Sequence, residues 1–242
     1  MDAIAVRGLT KEYKDVVAVD HLDLTIAKGE LFSLLGVNGA GKTTTIKMLS
    51  CLTQPTSGDA MVGGKSICQE PSQVKAMIAV SPQETAIAPG LSVQENLELI
   101  CGVYGFSKEK RQNKISEIVH QLGLLEVMRK KAGKLSGGWQ RRLSIAMALI
   151  SEPQILFLDE PTLGLDVLAR SELWELIRTL KESVTIILTT HYMEEAEALS
   201  DRVGIMSRGK LLYCDTVDNI KTQTGTNTLE QAFIHIVKEA EK

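Results

Sequence analysis

Eight residues, Gly36-Val37-Asn38-Gly39-Ala40-Gly41-Lys42-Thr43, set two glycines, a lysine and a hydroxyl at the Gly-x-x-x-x-Gly-Lys-Thr spacing of a phosphate-binding loop. Glycines let backbone N–H groups converge on an anion, and a helix that starts here adds the positive end of its dipole. In this arrangement Lys42 contacts the β- and γ-phosphates of a nucleotide and the Thr43 hydroxyl ligates Mg²⁺, with Asn38, Gly39, Ala40 and Thr44 completing the cradle. Such a loop needs an acidic partner for its metal. The run ILFLDE supplies one, since Asp159 ends an apolar strand and Glu160 at its tip can polarise an attacking water. His191 ends a second apolar run, VTIILTTH, at the edge where parallel sheets place their ligands. There it can hydrogen-bond a γ-phosphate or the attacking water. Gln83 ends the strand MIAVS and can sense metal and water; a plain loop glutamine is the alternative. Tyr13 can stack on adenine or else pack over a strand edge.

A second turn of phosphate-binding character, LSGGWQRR at 135–142, also opens a helix. Arg129, Lys130, Lys131, Lys134, Arg141 and Arg142 crowd it, either as an electrostatic aid to an incoming polyphosphate or as a solvated basic face. One compact chain thus carries two candidate phosphate sites.

The elements behind these motifs are legible as alternating patterns. IAVRGL and LDLTI read as strands, and LFSLLG is a short buried strand that leads into the loop and the helix TTTIKMLSCL. Between 91 and 131 the periodicity turns helical, with a capping box at Ser92 and Glu95 and a second cap at Ser107. ILFLDE, VLARSELWELIRTLKE, VTIILTTH and MEEAEALSD then alternate strand and helix, and VGIMSRGKLLY reads as a hairpin turning at Arg208-Gly209. This order implies an α/β core with a mainly parallel sheet, an antiparallel β part near the start and a helical insert. The expected division is 1–83 and 150–220 for the core, 84–149 for the helical part with the second turn, and 221–242 for a short helical tail.

Composition narrows the class. A length of 242 residues with 44% hydrophobic and 24% charged residues is ordinary for a globular protein. The net charge of −3 speaks against a general nucleic-acid binder, which usually needs a broad basic surface. The four cysteines are scattered without a C-x-x-C pair, as expected of reduced thiols. No signal peptide is expected, and the longest apolar runs are strand-sized, far below the ~20 residues that cross a bilayer.

Taken in order, Tyr13, GVNGAGKT, Gln83, LSGG, ILFLDE, Gly164-Leu165-Asp166 and His191 resemble the A-loop, Walker A, Q-loop, signature, Walker B, D-loop and H-loop of the ATP-binding cassette (ABC) ATPases. The resemblance covers residues 1 to about 220 and implies an ABC-type P-loop fold that hydrolyses ATP with Mg²⁺. It implies Glu160, His191 and Gln83 as catalytic residues, and Thr43, Gln83 and Asp159 at the metal. It also implies a head-to-tail dimer in which Ser136, Gly137, Gly138 and Asp166 reach the ATP on the partner's P-loop. Trp139 departs from the family's usual glutamine. A lone cassette without membrane spans is expected to be a peripheral subunit on the cytoplasmic face of the cell membrane. Its partners would be a separate integral membrane permease and a second cassette, with no nucleic acid. The ending LEQAFIHI resembles that of bacterial daunorubicin-resistance-type exporters, and it also reads as an amphipathic closing helix. A soluble ATPase remodelling a nucleic-acid or ribosomal complex, and an importer subunit, are the competing expectations.

Overall fold

The computed structural model describes residues 2–240. Three fully buried apolar runs form the centre of the molecule: β3 (Leu31–Leu35), β7 (Ile155–Asp159) and β8 (Thr185–Thr190). A strand buried on both faces has no polar side to alternate with, hence the continuous apolar sequence. With β6 (Ile78–Ser81), β9 (Arg202–Ser207) and β10 (Lys210–Asp215) they make a six-stranded sheet in the order β10-β9-β3-β8-β7-β6. All neighbours are parallel except the β9–β10 hairpin, which turns at Arg208 (φ 48°) and Gly209 (φ 80°) as expected from sequence. Two successive positive φ values match the right-handed twist of the flanking strands.

A second, antiparallel sheet is ordered β2-β1-β4-β5, from β1 (Asp2–Tyr13), β2 (Val16–Ala27), β4 (Ser57–Val62) and β5 (Lys65–Ser66). Its apolar side chains Ile4, Leu24 and Val62 pack with Ile46 and Leu49 of α1 (Lys42–Leu49) onto one face of the parallel sheet, at Phe157 and Ile187. The opposite face carries the helical part: α3 (Val93–Val103), α4 (Lys108–Gln121) and α5 (Gly137–Leu149). Leu97, Val119 and Leu143 share one core with Leu156 and Leu188 of the sheet and with Ile177 of α6 (Val167–Leu180). The insert is therefore seated on the parallel-sheet core through continuous apolar packing. The Ser92/Glu95 capping box that opens α3 is formed.

A third cluster joins Val203 and Ile205 of β9 to α7 (Met193–Leu199), α8 (Val217–Thr224) and α9 (Leu229–Ala240). In α9, Leu229, Phe233 and Ile236 are buried and Val237 partly so, which is the closing-helix reading of the tail. The short elements absent from the sequence-based reading include β5, α2 (Pro71–Lys75) and α8. The boundary drawn between 220 and 221 falls inside α8, whose signals are the Thr216 cap and the left-handed Gly225 (φ 63°) that closes it.

Candidate functional site

Parallel register brings four strand ends to one edge. Leu35 lies opposite Thr190, Asp159 opposite Thr189, and Ser81 opposite Leu158. The loop after β3, the Asp159-Glu160 pair, His191 and Gln83 therefore converge where open α/β sheets bind ligands. Asn38 to Thr44 of the loop, Glu160, His191 and Gln83 line a cleft of about 730 Å³, with Asp159 buried behind Thr43.

The loop from Gly36 to Thr43 wraps the start of α1. Gly41 is its N-cap in the left-handed region at φ 105°, and Gly39 sits at φ 82°. A Cβ on Gly41 would stand 2.5 Å from the carbonyl oxygen of Ala18. Gly41→Ala therefore combines a backbone conformation costing about 1–3 kcal/mol with a clash against main chain. The expected result is loss of nucleotide binding, read by titration with a fluorescent ATP analogue. Lys42 is 4% exposed and its Nζ donates to the carbonyls of Gly36 (2.7 Å) and Val37 (3.3 Å), standing 3.4 Å from Glu160 Oε1. Its charge is thus pointed into the loop by main-chain oxygens and balanced by one carboxylate.

Thr43 Oγ1 donates to Asp159 Oδ1 at 3.1 Å, and Thr189 Oγ1 donates to the same oxygen at 2.6 Å. A hydroxyl and a carboxylate side by side form an all-oxygen pair of the kind Mg²⁺ takes together with phosphate and water. Among the described residues no group of three or more His, Cys, Asp or Glu could hold a metal, so such an ion would draw its other ligands from nucleotide and solvent. Glu160 is buried, and its backbone sits at φ 47°, a conformation that non-glycine residues adopt under constraint. The constraint is visible: its N–H donates to both the carbonyl (3.1 Å) and the hydroxyl (3.0 Å) of Thr189. The side chain that results meets His191 Nδ1 at 2.9 Å through Oε2 and Lys42 through Oε1. One buried carboxylate thus touches the phosphate-loop lysine and the strand-end histidine.

Gln83 lines the cleft, and its main chain is fixed from an unexpected source. Arg141, 5% exposed, donates through Nη1 to the Pro82 carbonyl (2.6 Å) and through Nη2 to the Gln83 carbonyl (2.7 Å). Burial pushes its pKa below the ordinary arginine value, countered by the charges of Asp159 and Glu195. This corrects the reading of a uniform basic face around the second turn. Arg141 is a buried tie between α5 and the Gln83 loop, and Arg142 is engaged with Trp139 (4.8 Å to the ring) and Glu172 (3.1 Å).

Tyr13 ends β1 with Lys11 over its ring at 4.9 Å. The cleft wall beside it is made instead by Val16, Val17 and Ala18, so the structure does not bring Tyr13 into the lining. Ser136, Gly137, Gly138 and Asp166 also lie outside the cleft of their own chain. Ser136 caps α5 by backbone conformation alone, its hydroxyl making no capping bond, and Ser136 and Gly137 are exposed. Asp166 accepts from the Ala169 N–H at 2.9 Å and so caps α6. The two turns adjoin: a Cβ on Gly138 would stand 3.0 Å from that of Ala169. Sequence reasoning missed Thr189, Thr190, Glu195 and the role of Arg141. For the threonines the signal was two hydroxyls closing an otherwise apolar buried strand, where each must find a partner.

Fold and site together define a P-loop nucleotide-binding protein with a carboxylate–histidine pair opposite its lysine. The family profile described as ABC transporter matches residues 19–163, and a second, described as an AAA domain (putative AbiEii toxin), matches 131–196. The chain belongs to the ABC transporter family, as an ATP-binding, ATP-hydrolysing cassette. It is 39% identical over 99% of its length to the probable multidrug ABC transporter ATP-binding protein YbhF of Escherichia coli, of which it spans 42%. It is 38% identical over 94% of its length to the doxorubicin resistance ATP-binding protein DrrA of Mycobacterium tuberculosis, of which it spans 70%. Among solved structures, an ATP-binding subunit of an ABC transporter superposes with a TM-score of 0.84 at 27% identity, covering 97% of this chain and 99% of that one. A dimeric ATP-binding cassette in a post-hydrolysis state with ADP and Pi superposes with a TM-score of 0.78 at 26% identity, covering 88% of this chain and 98% of that one.

Proposed function

We propose that this chain is the ATPase subunit of an exporter of drug, antibiotic or lipid-like molecules, working on the cytoplasmic face of the membrane with a separate integral permease. The observation that carries the ATPase part is the convergence of Lys42, Asp159, Glu160 and His191 at one sheet edge. ATP lies along the Gly36–Thr44 loop, with Lys42 and the α1 N-terminus on its phosphates. Thr43 and Asp159, with Gln83 on the cleft wall, would hold Mg²⁺, which would supply positive charge beside the phosphates. Glu160 accepts a proton from the attacking water, and His191 orients the pair through its bond to Oε2.

The signature turn serves a partner. With Ser136 and Gly137 turned outward from their own cleft, two chains packed head to tail can each offer Ser136, Gly138 and the start of α5 to the other's γ-phosphate, with Asp166 beside them. Hydrolysis then removes a group that both chains hold, and the closed dimer loses its advantage over the open one. The export assignment is supported by the drug-resistance names of the relatives.

A permease needs a docking surface, and an apolar groove of about 420 Å³ lies between β6 and the helical part. Leu52 (64% exposed), Val103 (74%) and Tyr104 (52%) stand at it. Among the described residues no helix is long and apolar enough to cross a membrane. The test is capture of the permease from detergent-solubilised membranes by tagged chain with ATP and Mg²⁺. Wild type should retain an integral membrane protein, and Val103→Asp should lose it while still hydrolysing ATP. Capture of ribosomal or soluble partners only, unchanged by Val103→Asp, would overturn the transport reading.

A further inference from the structure

One buried charge is held by main chain alone. Arg141 on α5 is 5% exposed, and among the described residues no carboxylate forms an ion pair with it. Burying a guanidinium is costly unless its donors are met. Two carbonyls meet them, since Nη1 donates to Pro82 at 2.6 Å and Nη2 to Gln83 at 2.7 Å. The planar fork of an arginine suits two acceptors side by side, and the single ammonium of a lysine does not. One turn further along α5, the Ser144 hydroxyl lies 3.0 Å from that of Ser81, the last residue of β6, and both are buried. Helix α5 therefore holds Ser81, Pro82 and Gln83 in succession.

Those residues stand where the sheet stops supplying partners. The β6–β7 ladder ends with Ser81 opposite Leu158, and β6 is an edge strand. Among the described residues, the main chain from Pro82 to Ile87 has no hydrogen bond besides the two from Arg141. The next hold is at Ala88, whose N–H donates to the Asn96 side chain at 2.8 Å and whose carbonyl accepts from it at 3.1 Å. Between these holds lies Gln83, which lines the cleft together with Glu160 and His191. The geometry points to Arg141 as a positioning residue for hydrolysis: it fixes the Gln83 main chain and so keeps the glutamine side chain on the cleft wall. Without Arg141 the segment would be pinned at Ser81 and Ala88 and loose at Gln83. A charge kept in the core for two carbonyls is placed by what those carbonyls carry. The inference rests on the reading of Gln83 as a residue that acts on the bound nucleotide and the attacking water.

A double-mutant cycle on the full chain tests it, with steady-state hydrolysis and ATP affinity measured for each variant. Arg141→Met keeps the apolar stem and removes every donor. It is expected to lower kcat about tenfold to a hundredfold, because Gln83 is misplaced. Affinity for the fluorescent ATP analogue should stay within about twofold, since the phosphate loop is untouched. Arg141→Lys, which can still donate to one carbonyl, should fall between. Gln83→Ala should be slow by itself, and adding Arg141→Met to it should cost no more than about a further twofold. A merely structural arginine would instead exact its full loss in both backgrounds. Where Arg141→Met does not fold, Arg141→Lys alone and combined with Gln83→Ala decides. Parental kcat in the Arg141 variants, with Gln83→Ala slow, would overturn the proposal. So would independent losses in the double mutant, or weakened ATP affinity at constant kcat. Parental turnover in Gln83→Ala would instead overturn the reading of Gln83 beneath it.

Discussion

Glu160→Gln is expected to hydrolyse ATP about 10²–10⁴-fold more slowly than the parent chain while still binding it. The substitution keeps the volume of a 7% exposed side chain and leaves the backbone bonds to Thr189 in place, so the φ 47° conformation survives. An amide oxygen can still meet Lys42 or His191, but it cannot take a proton from water. Lys42, held by the Gly36 and Val37 carbonyls, keeps its aim at the phosphates. Binding and chemistry are therefore separable at this residue. Single-turnover phosphate release, measured beside ATP affinity, checks both halves. Normal turnover would remove Glu160 as the base.

Ser136→Arg is expected to abolish the ATP-dependent dimer and to leave the affinity of the isolated chain for ATP almost unchanged. Ser136 is exposed and caps α5 without a side-chain bond, so its own fold should change by no more than about 0.5 kcal/mol. It does not line its own cleft. A long cation there obstructs only a site completed by a second chain. Light scattering reads the dimer and nucleotide titration reads the monomer. A collapse of monomer affinity would place the turn on its own nucleotide and contradict the head-to-tail arrangement.

Much of this was legible in the residues, for identifiable reasons. LFSLL, ILFLD and TIILTT could be read as buried parallel strands because burial on both faces leaves no polar alternation. Once those strands are parallel, their ends must share an edge, and the candidate site assembles from residues far apart in sequence. The Arg208-Gly209 hairpin and the Ser92 capping box were likewise local signals with a local cause. Tyr13 pairs across β1 and β2 with Val16, which lines the cleft, while Tyr13 itself stands outside the lining. Arg141 sits in a run of basic residues that reads as solvated, and only tertiary packing buries its guanidinium against two carbonyls. Trp139 lacks the amide usual at its position and instead underlies Arg142, while the adjacent Gln140 donates to the Ala132 (3.3 Å) and Leu135 (3.2 Å) carbonyls behind the turn. Such trades between neighbours follow from packing, and no single-residue pattern announces them.

Mass in solution tests the central claim, that two chains close on ATP with each signature turn completing the other's site. Light scattering of Glu160→Gln with ATP and Mg²⁺ should give twice the monomer mass, reverting to one with ADP, because the mutant holds the γ-phosphate that joins the chains. Mass action also requires the dimer fraction to rise with ATP concentration. A species that stays monomeric at saturating ATP, or a dimer indifferent to nucleotide, would contradict the account.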